Sequence, residues 1–158
     1  MDLEQVLAIT LHTVAFVIVW GYYGILARVI LPGLRGTLDL AGQTRTLAAI
    51  ERRALPLVLL SIVLFIATGT YLLVVNPAYH GLGSFTTTWA TLMLIKHLLV
   101  IGLIGLGVLI DYLIRGAAEA QRDEDRASDL RWLRFGAEAA TALGALIALT
   151  TAAAQVAL

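Results

Sequence analysis

Three features of this sequence predict an all-α fold: an integral membrane four-helix up-down bundle, N-out and C-out. The first is composition. Of 158 residues, 59% are hydrophobic and only 14% are charged, and the mean hydropathy is +0.88, which is more apolar surface than one soluble core buries. The second is segment length, because four apolar stretches each reach the roughly 20 residues that cross a hydrocarbon layer about 30 Å thick. The third is the placement of the arginines. Arg28, Arg35, Arg45, Arg52 and Arg53 lie between the first and second stretches, and Arg115, Arg122, Arg126, Arg131 and Arg134 between the third and fourth. The N-terminus, the 76–88 loop and the C-terminus carry no Arg or Lys. The positive-inside rule therefore puts both arginine segments in the cytoplasm and both termini outside. A single multi-pass domain in the cell (inner) membrane is expected, with the lipid bilayer as its first partner.

The first span, residues 3–31, opens with Asp2 and Glu4 rather than a basic region. It stays apolar for too long to be a signal peptide, so a retained helix is expected. Pro32-Gly33 and Gly36 are expected to stop it. Residues 37–53 read as a short interfacial helix, and Pro56 as a proline near the start of the second span, residues 55–75, where a missing N–H is harmless. Asn76-Pro77 ends that span. The run Gly81-Leu82-Gly83-Ser84, followed by Thr86, Thr87 and Thr88, predicts a short turn into a Thr-capped third span, residues 89–114. Ala117 to Asp129 reads as a solvated extension of that third span. The fourth span, residues 133–156, carries Gly136, Ala139, Ala140, Gly144, Ala145 and Ala148, small residues that permit close helix contact.

Zero net charge argues against nucleic-acid binding, which needs a basic excess. The absence of cysteine excludes disulfides, thiolate metal sites, iron–sulfur clusters and a Cys nucleophile. Any metal must be held by His, Lys, Met or carboxylate. There is no Gly-rich phosphate loop and no Ser/His/Asp arrangement.

Attention therefore falls on polar residues inside the apolar spans. His12 lies nine residues after Leu3, and His97 nine after Thr88. At 1.5 Å per residue both imidazoles sit about 13 Å below the outer end of parallel helices, a common level at which they could clamp a haem iron. Each also reads as a neutral core histidine bonded to a neighbouring helix. Lys96 is the only lysine, and near mid-helix it costs at least a few kcal/mol unless it snorkels or finds a partner. It could hold an anionic group such as a porphyrin propionate, ligate a metal, or take part in proton transfer. Glu138 and Asp111 lie toward the opposite ends of their helices, so a cofactor or another chain is its expected partner. Trp20 lies deeper than the belt aromatics Trp89, Tyr79 and Trp132 and is a candidate cofactor-side residue. His80, beside Tyr79, reads as an exposed loop residue.

Leu11-His12 followed by Trp20-Gly21 and Arg28, then Glu51-Arg52-Arg53 with Pro56, Gly69, Asn76-Pro77, and Trp89 with Lys96 run in order along nearly the whole chain. This pattern resembles the HemJ-like protoporphyrinogen oxidases and the related CopD-type copper-resistance membrane domains. The resemblance implies a small helical membrane protein binding haem b, with His12 as ligand and Lys96 as the second essential position, which oxidises protoporphyrinogen IX to protoporphyrin IX and passes electrons onward. His97, next to the lysine, is a different candidate second ligand. Three readings stay open: a haem-b redox protein using His12 with His97 or Lys96; a non-catalytic small subunit, in a homo-oligomer or packed through its fourth span against a larger respiratory or photosynthetic membrane complex; and a CopD-like copper-handling protein. The last has few soft ligands to draw on, Met1 and Met93 with no Cys.

Overall fold

The computed structural model describes residues 2–79, 81 and 87–157, and among these every regular element is helical. Four helical rods are long and apolar enough to cross a membrane. The first is built from three pieces: α1 (Leu3–Ile25), a five-residue π-helical turn (Leu26–Ile30), and α2 (Leu31–Thr37). The others are α3 (Leu40–Val74), α4 (Thr88–Glu119) and α5 (Asp123–Val156). α4 packs along α5 and α1 along α3, with α1 also against α5 and α3 against α4, the adjacency of an up-down bundle.

The helix boundaries differ from the expected ones in three places, each with a physical cause. Pro32 and Gly33 do not stop the first span, which continues to Thr37. The preceding turn widens instead, so that the Leu31 N–H reaches back five residues to the Leu26 carbonyl. A π turn of this kind absorbs the crowding a proline ring imposes on the turn before it. The reversal falls at Leu38, in extended geometry, and Asp39 then caps α3 by accepting from the Gly42 amide at 2.8 Å.

The expected interfacial helix and the second span are one continuous rod, with Pro56 in its interior. Pro56 and Arg52, whose carbonyl it leaves unpaired, are both exposed, so the ring does not disturb a packed face. At the other end of the bundle the charged segment divides differently. α4 ends at Glu119, the chain turns through Ala120 to Arg122, and Asp123 to Asp129 form the first turns of α5 rather than an extension of the third span. Three acids in that first turn suit its dipole.

Other local expectations hold. α3 stops at Val74, and the Asn76 side chain accepts from the Ala78 amide at 2.9 Å. Thr87 caps α4 by accepting from Ala90 at 3.1 Å. His80, and Leu82 to Thr86 of the predicted turn, lie outside the described residues.

The closest packing is toward the arginine-bearing end. Leu26, Leu47, Ile110, Ile114 and Leu133 are the largest fully buried side chains, with Ala137 and Ala140 of α5 wholly buried among them. The small residues of α5 do permit close approach: a Cβ on Gly136 would touch Ile110, and one on Gly144 would collide with the Trp20 ring. Around the outside, large apolar side chains such as Val63, Ile101, Val108 and Leu149 are more than 60% exposed. In water this belt would be untenable; in hydrocarbon it is the expected surface.

Candidate functional site

His12, Lys96 and His97 line one cavity of about 360 Å³ between α1, α3, α4 and the end of α5. Asn76, two residues past the end of α3, and Trp89, in the first turn of α4, also line it, which sets the cavity at the arginine-free, outer end. The two histidines, expected at a common level, thus line one space.

His12 is held by a shelf on α3. Its ring stacks on Phe65 with centroids 4.2 Å apart and planes 18° from parallel. Its Nδ1 lies 3.1 Å from the Phe65 carbonyl oxygen and 3.0 Å from the Thr68 hydroxyl oxygen. The Thr68 hydroxyl hydrogen is already donated to the Leu64 carbonyl at 2.6 Å, so both neighbours of Nδ1 can only accept. Nδ1 must carry the proton, which leaves Nε2 with its lone pair. Gly69 makes the fit possible, since a Cβ there would fall 2.9 Å from His12 Cε1. Phe16 continues the aromatic contact from Phe65 to Trp20, with centroid separations of 5.9 and 5.7 Å.

On α4, Met93, Lys96 and His97 are spaced three and four residues apart, which puts them on one helix face. All three line the cavity. The Nδ1 of His97 is bonded to the Met93 carbonyl, which as an acceptor fixes the proton on that nitrogen and leaves its Nε2 lone pair available. His97 is exposed at the cavity margin, whereas His12 and Lys96 are part-buried. Among the described residues no carboxylate approaches Lys96 within 4 Å.

Trp20 is placed elsewhere. It does not line the cavity; its indole N–H donates to the Thr141 carbonyl at 2.9 Å and its ring fills the gap over Gly144. Trp89, which the sequence offers as an interface anchor or a pocket rim, is 5% exposed and walls the cavity.

Sequence reasoning did not single out a second polar cluster at the other end of the bundle. Glu51 is 7% exposed and accepts a hydrogen bond from the Tyr22 hydroxyl. Tyr23, 3% exposed, occupies the space beside α4 that a side chain at Gly107 would take. Asp111 nearby pairs with Arg115 at 3.0 Å. A Tyr-Tyr pair one span away from a lone Glu was the available signal, but it needs the helix rotations to be interpreted.

Comparison with known proteins bears on residues 48–154, which match the family model described as copper resistance protein D. That stretch contains Glu51, the α3 shelf and the α4 triplet, while α1 with His12 precedes it. No curated protein and no solved structure matches the chain. The match covers well over half the sequence, and the protein is a multi-pass membrane member of the copper resistance protein D family.

Proposed function

We propose that this is a copper-handling membrane protein that admits a copper ion to the outer cavity, with His12 as principal ligand and Met93 and His97 supplying the remaining donors. The observation that carries this reading is the anchoring of His12. Its ring is stacked, its Nδ1 proton is committed to α3, and its Nε2 keeps a lone pair on a side chain that lines the cavity. An outer partner on one imidazole nitrogen is how proteins orient a histidine for a metal at the other. Imidazole with thioether is a donor set suited to copper, and the family to which the chain belongs supports that choice of metal. Copper is here the cargo.

Lys96 favours a second reading. An ammonium group lining the cavity repels a cation but would neutralise an anion, and no carboxylate of the described residues meets it. A haem b with His12 on its iron and a propionate toward Lys96 would satisfy both residues, and would supply the redox chemistry implied by the HemJ-like resemblance. In that role this chain's own residues bind and orient; the electron chemistry belongs to the haem.

One preparation separates the readings. The full chain, purified in detergent from copper- and haem-replete cells, is analysed for metal content and for its visible spectrum. The copper reading expects about one copper per chain, falling about tenfold or more in His12→Ala, and no loss in Lys96→Met. A reducible Soret and α-band spectrum, lost in His12→Ala and weakened in Lys96→Met, would replace copper with haem. A folded protein carrying neither would overturn both and leave the small-subunit reading.

A further inference from the structure

The arginine-bearing end of the bundle holds a second, larger cavity of about 670 Å³, a groove between α2, the start of α3 and the first turns of α5. Its polar lining is Arg35, Arg131, Arg134 and Gln43, with no carboxylate. Arg131 and Arg134 are three residues apart on α5 and so share a face, and Arg35 approaches from the last turn of α2. Of the three, only Arg134 has an acidic partner among the described residues, a single contact to Glu138 at 3.3 Å between two half-exposed side chains. Three guanidinium groups around one groove with so little compensation repel one another. They are stable together in water or around an anion.

The surroundings argue for an anion that arrives in the bilayer. The rest of the groove wall is apolar, with Leu31, Leu40 and Leu130 among its residues. Beside the arginines on α5, Trp132 and Phe135 are 59% and 65% exposed and meet edge to face at 6.1 Å. Large aromatics left on the surface next to cations mark the headgroup level of a membrane. A guanidinium fork pairs with phosphate through two parallel hydrogen bonds, and basic grooves between spans on the cytoplasmic side suit anionic headgroups.

We infer that this groove is a binding site for the phosphate headgroup of an anionic phospholipid, with Arg35, Arg131 and Arg134 on the phosphate and the leucine wall along the upper acyl chain. The site is separate from the outer cavity and does not depend on which metal or cofactor that cavity takes.

The test uses the full chain in detergent micelles, titrated with phosphatidylglycerol, with phosphatidylcholine of the same chains, or with inorganic phosphate, and read by native mass spectrometry for retained lipid. Phosphatidylglycerol is expected to be retained over phosphatidylcholine, with retention weakened about fivefold for each arginine removed in Arg35→Gln, Arg131→Gln and Arg134→Gln. Arg115→Gln, a charge removed from α4 outside the groove, should leave retention unchanged. Circular dichroism on each variant checks the fold, and the single substitutions keep the test decisive if the triple variant does not fold. Equal retention of the two lipids, retention by the triple variant, an equal loss in Arg115→Gln, or inorganic phosphate displacing phosphatidylglycerol at equal concentration would each overturn the assignment.

Discussion

Substituting Gly69 by alanine should disable the outer site without replacing any residue that supplies a donor atom to it. A Cβ at this position would sit 2.9 Å from His12 Cε1 and 3.4 Å from Nδ1, whereas carbon atoms in contact settle at about 3.5 to 4.0 Å. The imidazole must therefore back away from α3 by about 0.6 Å or more. Its two anchors, at 3.1 Å to the Phe65 carbonyl and 3.0 Å to Thr68, would then stretch past the limit of a useful hydrogen bond. Losing one net bond costs about 1 kcal/mol and the overpacking about 1 to 3 kcal/mol, while replacing a helical glycine returns up to about 1 kcal/mol. The expected balance is a destabilisation of about 1 to 3 kcal/mol, together with a loss of bound metal or haem comparable to that of His12→Ala. Gly105→Ala is the matched control, because a Cβ there meets nothing within 4 Å, and it should be neutral or stabilising. Thermal unfolding in detergent, followed by circular dichroism, and metal or haem content on the same samples measure both effects. If Gly69→Ala and Gly105→Ala behave alike in stability and loading, the α3 shelf does not position His12.

Two further substitutions probe the packing away from that shelf. Gly144→Ala places a methyl group inside the Trp20 ring and should expel the indole, breaking its bond to the Thr141 carbonyl. A loss of about 2 to 4 kcal/mol with a red-shifted tryptophan emission is expected, and an unshifted spectrum would count against the close α1–α5 crossing. Tyr22→Phe removes the hydroxyl that serves the buried carboxyl of Glu51. The cost should be about 1 to 3 kcal/mol and should shrink when Glu51→Leu is added, since the orphaned group is then gone; strictly additive losses in a double-mutant cycle would show that the two residues are not coupled.

The fold class was legible because hydropathy and arginine placement act over whole spans and do not depend on detail. Helix ends were harder to locate. Arg45 to Arg53 and Asp123 to Asp129 are polar enough to mark the end of a membrane span, but their backbone continues as helix, so the membrane boundary and the helix boundary do not coincide. Pro32 and Pro56 are helix breakers on average, yet a π turn absorbs the first and an exposed face tolerates the second.

At the site, counting residues along two parallel helices put His12, Lys96 and His97 at one expected depth, and all three line one cavity. It could not reveal the Phe65, Thr68 and Gly69 shelf, or that Trp20 turns toward α5. Which residue of one span faces which residue of another depends on helix rotation. In a membrane protein both the packed and the lipid-facing sides are apolar, so the periodicity that marks a buried face in water is largely erased.

The helical rods are longer than the membrane they cross. At 35 residues α3 spans about 52 Å, against a hydrocarbon layer of about 30 Å, and α4 and α5, at 32 and 34 residues, are similar. The outer cavity, which includes Asn76 and Trp89, lies where α3 ends and α4 begins. The opposite ends carry the arginines as a collar, which the positive-inside rule puts on the cytoplasmic side. Because arginines begin partway along the rods, a thicker bilayer is met by local thinning and not by burying that collar. The collar thereby limits how far the bundle can shift toward the outer side, since any such shift would draw its charges into hydrocarbon.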